Sequence, residues 1–154
     1  RKRYGKKDYR GIIPARVDID ERPAIVDEKS RLGDWEADTV IGKGHQGVLV
    51  TLTERVSKLN LVIPIVRKEA ELTKEVIIQA LTPFATWVHT ITFDNGREFC
   101  KQSEIANALD CKTYFAKPYH SWERGLNENH NANSSYKCNT RKRIEAWIQL
   151  LNAA

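Results

Sequence analysis

The sequence has only three cysteines in 154 residues, Cys100, Cys111 and Cys138, and no two of them stand in CxxC spacing. An odd, scattered set indicates neither a disulfide framework nor a zinc knuckle, and it fits a reducing cytoplasm. No run approaches the roughly 20 apolar residues that a membrane-spanning helix needs, and no apolar segment follows the basic residues at the start, so neither a span nor a secretory leader is expected. The four histidines, His45, His89, His120 and His130, lack HExxH or any paired-ligand spacing, which speaks against zinc. The chain opens on Arg1 in mid-pattern, without Met, which suggests a piece of a longer protein.

The composition is that of a globular domain: 41% of the residues are hydrophobic and 29% charged, enough apolar material for one buried core. The formal charge is +5, and its distribution is uneven. Arg1, Lys2, Arg3, Lys6, Lys7 and Arg10 crowd the start, and Lys137, Arg141, Lys142 and Arg143 gather near the end. Two readings of these runs stand side by side, phosphate-contacting patches and solvated surface.

Residues 1 to about 30 contain Pro14 and Pro23 and little periodicity, so they read as an extended arm or linker. Asp34 to Ile41 and Val48 to Val56 flank a glycine-rich turn and predict a hairpin. Lys58 to Val66 adds a third strand, with Pro64 suited to a sheet edge. Leu72, Val76, Ala80, Ile77, Leu81 and Phe84 recur at helical spacing and predict an amphipathic helix from Glu69 to about Thr82. Val88 to Phe93 is a strand reached through that helix and therefore parallel to an earlier one. A short helix around Ser103 to Leu109, a strand around Lys112 to Ala116 and a helical C-terminal stretch complete a mixed α/β order. In that stretch Ile144, Trp147, Ile148 and Leu151 form one apolar face.

Three polar positions stand out. Asp38 lies in an apolar strand, where an unpaired carboxylate is costly unless a cation meets it. Asp94 stands where a strand ends in Asp-Asn-Gly, and α/β sheets bind ligands at the carboxyl ends of their strands. Taken singly, Asp38 could pair with Arg or Lys, and Asp94 could serve only the turn that Asx-Gly favours. The run Trp122 to Asn129 has too few apolar residues for a core stripe and suggests a working surface. Two metal ions held by hard carboxylate oxygens are a known means of cutting phosphodiesters, which would give such a trio a use.

Three blocks carry a specific resemblance. Gly33-Asp34-Trp35-Glu36-Ala37-Asp38-Thr39-Val40-Ile41-Gly42, Thr92-Phe93-Asp94-Asn95-Gly96-Arg97-Glu98-Phe99 and Trp122-Glu123-Arg124-Gly125-Leu126-Asn127-Glu128-Asn129 resemble, in order, the insertion-sequence-thirty family of transposases. The likeness runs from about Arg3 to Asn131. It implies a ribonuclease-H-like, retroviral-integrase-type fold, a mixed five-stranded sheet flanked by helices. It divides the chain into a basic arm or linker (1–30), a DDE integrase catalytic core (31–131) and a divergent helical tail (132–154).

The resemblance also implies the chemistry. Asp38, Asp94 and Glu128 would be the catalytic DDE triad and would hold two Mg²⁺ ions, with Mn²⁺ as substitute. Glu36, Glu98, Asn95, Trp122, Arg124, Asn127, Asn129 and His130 would orient the ligands or hold DNA, although for several of these a helix cap or loop filling is the competing reading. The expected activity is metal-dependent cleavage and strand transfer of DNA, with transposon ends and target as partners. A homo-oligomer is expected in the active complex, which would act at the nucleoid of a bacterial cytoplasm. The alternative is a defective remnant that folds and binds DNA without cutting it. That alternative arises because Ala132-Asn133-Ser134-Ser135 replaces the Gly-Leu-Ile-Arg that the resemblance leads one to expect, a change that a shift of reading frame would explain.

Overall fold

A computed structural model describes residues 13–42 and 47–117. Their centre is a five-stranded sheet in the order β3-β2-β1-β4-β5, formed by β1 (Asp34–Ile41), β2 (Val48–Glu54), β3 (Asn60–Ile65), β4 (Thr90–Phe93) and β5 (Lys112–Phe115). The first three strands form the expected antiparallel meander, and β4 and β5 add in parallel to the other side of β1. Pro64 sits on the edge strand β3, where its missing N–H interrupts no ladder to a further strand. The expected second strand stops two residues early. Glu54 turns its carboxylate onto Val56 N–H and the Ser57 hydroxyl, and this closes the turn into β3.

The alternation of side chains gives the sheet two unlike faces. On one, Trp35, Ala37, Val50, Leu52, Leu61, Ile91, Phe93 and Phe115 are buried in the main core. Helices α2 (Ala70–Leu81) and α3 (Gln102–Leu109) cover this face through Ile77, Leu81, Ile105 and Leu109. The buried stripe of α2 runs through Thr73, Ile77 and Leu81. Val76 and Ala80, expected on the same face, pack only partly buried against it.

The other face is polar and also buried. Asp34, Glu36 and Asp38 alternate along β1, beside Thr51 and Thr53 of β2 and Thr90 and Thr92 of β4. Such a face must be covered by groups able to hydrogen-bond. The cover comes from residues 13–31, that is, the described part of the expected arm (13–30) together with Arg31. Arg22 donates to Thr92 Oγ1 at 2.9 Å, Arg31 clasps Asp34, and the fully buried Val26 lies in the short helix α1 (Ala24–Glu28). Ile13 joins the main core, and Asp18 forms a bridge with Phe115 alongside β5. This stretch is thus laid against the sheet and not extended away from it. The sequence gives little sign of that, because its partners are distant threonines and acids and not an apolar stripe of its own. The tail beyond Lys117 lies outside the described residues.

Candidate functional site

Strands β1, β3, β4 and β5 all point the same way, because two antiparallel steps return β3 to the direction of β1. Their carboxyl ends therefore share one end of the sheet, which is where Asp38, Lys68 and Asp94 stand in the chain. The parallel register pairs Glu36 with Thr92 and Ala37 with Phe93. The next step brings Asp38 level with Asp94 on the polar face, and their carboxyl groups lie within hydrogen-bonding reach.

Two acids so close do not ionise together easily. Burial, then the charge of Asp38, push the Asp94 carboxyl up to about 7, although the Gly96 N–H donates to its Oδ1 at 2.8 Å and opposes the shift. Asp38 Oδ1 accepts from Thr39 N–H at 2.7 Å. A pair of hard oxygen donors that repel one another is a fitting set for a divalent cation, which would relieve both the repulsion and the burial cost. Among the described residues no three His, Cys, Asp or Glu side chains are grouped to hold a metal. Two of the three expected ligands are thus brought together. The third, Glu128, lies outside the described residues, as do Trp122, Arg124, Asn127, Asn129 and His130.

The neighbouring acids behave differently from one another. Glu36 shares the face of Asp38, as its spacing foretells, but it is fully buried and ion-paired with Arg55. Arg55 in turn donates to the Val26 carbonyl at 3.0 Å, so Glu36 anchors the cover of the polar face. Glu98 is buried as well. Its Oε1 accepts from Thr39 Oγ1 at 2.6 Å and lies 2.9 Å from Lys68 Nζ. Asn95 accepts from Arg16 through its carbonyl and donates through its amide to the Ala116 carbonyl, which fastens the turn that carries Asp94.

Sequence reasoning missed Arg16, Thr39 and Lys68. Lys68 could have been found from the strand directions, since it follows the carboxyl end of β3. Nothing local marks Arg16, whose partner Asn95 is 79 residues away.

The comparisons with known proteins agree with this architecture. No family model matches the chain. A transposase for insertion sequence element IS4351 of Bacteroides fragilis is 51% identical over 130 residues, which are 84% of this chain and 40% of that protein. A transposase for insertion sequence element IS1086 of Cupriavidus metallidurans is 34% identical over 80% of this chain and 37% of its own length. Transposase InsI for insertion sequence element IS30A of Escherichia coli is 28% identical over 84% of this chain and 34% of its own length. The chain therefore spans about 40% or less of these curated relatives.

Among solved structures, the catalytic core domain of BIV integrase superposes with a TM-score of 0.55 at 19% identity, over 65% of this chain and 64% of that one. A chain of the simian T-cell lymphotropic virus intasome in complex with PP2A regulatory subunit B56 gamma gives 0.59 at 17%, over 66% and 38%. The fold is ribonuclease-H-like, of the retroviral integrase type, as the sequence led one to expect. By its sequence, the chain is homologous to insertion-sequence transposases over most of its length, IS30 members among them.

Proposed function

We propose that this chain carries the catalytic core of a DDE transposase, a polynucleotidyl transferase that cuts DNA and joins the cut end to a target. The observation that supports it best is the meeting of Asp38 and Asp94, one in a central strand and one just past its parallel neighbour, with their carboxyl groups within hydrogen-bonding reach. Asp38, Asp94 and Glu128 would hold two Mg²⁺ ions, or Mn²⁺ in their place. Bound there, the ions would activate the attacking oxygen and stabilise the leaving one.

The chain's own residues do the positioning. The β1–β4 pairing sets the separation of the two aspartates, and Gly96 N–H aims Asp94 by holding one of its oxygens. In the first step a water oxygen bonds to phosphorus and the 3′ oxygen leaves as a hydroxyl. In the second that hydroxyl attacks a target phosphodiester, one P–O bond forms as another breaks, and no outside energy source is needed. Lys and Arg contacts to phosphates would supply most of the affinity for DNA, so binding should weaken steeply with salt. The reading places the protein in a bacterial cytoplasm, at the nucleoid, as a homo-oligomer on transposon ends and target. Among the described residues no helix is long and apolar enough to cross a membrane.

The test is to incubate the purified chain with labelled element-end DNA and Mn²⁺, and to follow both strand cleavage and joining. Metal-dependent products that vanish in Asp38→Asn, Asp94→Asn and Glu128→Gln support the reading. A chain that shifts DNA in a gel but yields no product with any metal would instead be the non-cutting remnant.

A further inference from the structure

Asp94 is held in a turn that must resist the repulsion of Asp38, and the structure joins that turn to a distant part of the chain. Arg16 donates through Nη1 to the Asn95 carbonyl oxygen and through Nη2, at 3.3 Å, to the carbonyl of Ala116. Asn95 completes a triangle by donating its amide to the same Ala116 carbonyl. Arg16 is itself fixed from two further sides. Its Nε donates to Asp18 Oδ1 at 2.9 Å, and its guanidinium lies 5.6 Å from the centre of the Phe115 ring.

The segment that carries Arg16 is fastened along its length. Gln102 Nε2 donates to the Pro14 carbonyl at 2.6 Å, and Phe115 N–H donates to the Val17 carbonyl at 2.9 Å. Between them Ala15 adopts a left-handed φ of 51°. A non-glycine residue keeps that conformation only where its surroundings over-determine it.

Resting on the reading of Asp94 as a metal ligand, we propose that Arg16 is a positioning residue of the DNA-cutting site. It ties the turn of Asp94 to Ala116, the point from which the chain leaves β5 and leads on to Glu128. A guanidinium suits this task because its planar fork reaches two acceptors in fixed directions, which an ammonium does not do. By holding Asn95 in the turn and Ala116 at the strand end together, Arg16 keeps the Asp94 oxygens in place before a cation arrives to neutralise them. Residues that orient metal ligands from behind commonly change metal affinity by about ten- to a hundredfold when removed.

Calorimetric titration of the whole chain with Mn²⁺, in the absence of DNA, tests the proposal. Wild type should bind and Asp94→Asn should not. Arg16→Ala should bind about tenfold more weakly. Arg16→Lys should weaken binding as well, and it decides the matter if Arg16→Ala does not fold. Asn95→Ala should match Arg16→Ala, and the double variant should bind no more weakly than either single one, because both break the same clasp. A general loss of stability would instead make the two effects multiply, and that result overturns the proposal. So does wild-type affinity in the Arg16 variants. If wild type takes up no Mn²⁺, or Asp94→Asn takes up as much as wild type, the metal reading of the site fails first and the proposal falls with it.

Discussion

Thr39 and Glu98 are joined by a hydrogen bond of 2.6 Å from the Thr39 hydroxyl to Glu98 Oε1. Each stands close in sequence to one of the two facing aspartates: Thr39 follows Asp38, and Glu98 follows Asp94 by four residues, in the helical turn Arg97–Phe99. The bond therefore fixes the end of one aspartate's strand to the turn that carries the other. Lys68 neutralises the same oxygen from the side of β3.

Removing this link should harm catalysis more than folding. In Glu98→Ala the Thr39 hydroxyl and Lys68 both lose their acceptor, and strand cleavage at saturating Mn²⁺ should fall about tenfold or more. The accompanying loss of stability should be about 1 to 3 kcal/mol, typical of a buried charged hydrogen bond. Urea unfolding and single-turnover cleavage measured on one preparation separate the two effects. A cleavage rate equal to that of wild type would remove Glu98 from the site.

Gly96 offers a second route to the same link. A Cβ added at Gly96 would overlap the carboxylate of Glu98, the movable end of a side chain, while the backbone φ of −66° is one that any residue adopts. Gly96→Ala should therefore displace Glu98 without unfolding the domain. Its cleavage defect should resemble that of Glu98→Ala, and the double variant should cut no more slowly than the worse single one. Multiplying defects would show that Gly96 acts by another path.

Gly33 is the opposite case. Its φ is 101°, its carbonyl accepts from His89 N–H at 2.8 Å, and an added Cβ would overlap the backbone carbonyl of Trp87, which cannot swing away. Gly33→Ala should destabilise the domain by about 3 kcal/mol or more, since strain and a backbone clash act together. Thermal unfolding with a chelator present measures it. A melting temperature within a degree or two of wild type would contradict the account of this entry into β1.

The sheet was legible in the sequence because its signals are local: β-branched runs on either side of a glycine-rich turn in β1 and β2, a helical period in α2, and an Asp-Asn-Gly stop after β4. The meeting of Asp38 and Asp94 was legible through the blocks that surround them. The role of Glu36 was half legible. A period of two places it on the face of Asp38, but its Arg55 lies past the end of β2, and Arg55 is joined in turn to Val26 of α1. Such a network has no fixed spacing to read. The buried cover formed by residues 13–31 escaped for the same reason: it is held by Arg22, Arg31 and Arg55, residues that look like surface charge until the sheet brings their acceptors near.

That network gives a prediction of its own. Glu36 is fully buried against Arg55, so Glu36→Ala takes away the close partner of a buried guanidinium and leaves it the more distant, exposed carboxylate of Asp27 at 3.7 Å. Breaking one side of such a pair costs about 3 to 5 kcal/mol, often more than the pair contributes when intact. The expected result is a domain unfolded by mild urea, with Mn²⁺ binding retained in whatever fraction stays folded. Replacing Glu36 and Arg55 together by apolar residues should recover much of the loss. Selective loss of Mn²⁺ binding in a stable Glu36→Gln variant would instead make Glu36 part of the metal centre.

The proximity of Asp38 and Asp94 makes the stability of the metal-free domain depend on pH in a defined direction. The folded state raises the Asp94 carboxyl from 3.8 to about 7, chiefly through burial and then through Asp38. Its folded value lies above its unfolded one, so the folded state binds the proton more tightly. The stabilisation linked to that proton is complete below the unfolded value and is lost as pH rises through about 7. With a chelator present, the melting temperature should therefore fall by several degrees between pH 5 and pH 8. Asp94→Asn carries no such charge and should flatten this slope, with a melting temperature above that of wild type at pH 8. Mn²⁺ should raise the wild-type melting temperature most at the same alkaline end, where both carboxylates are ionised and repel, and should leave Asp94→Asn nearly unchanged. A metal-free domain that grows more stable from pH 5 to pH 8 through this pair would mean that the two carboxyl groups do not face each other.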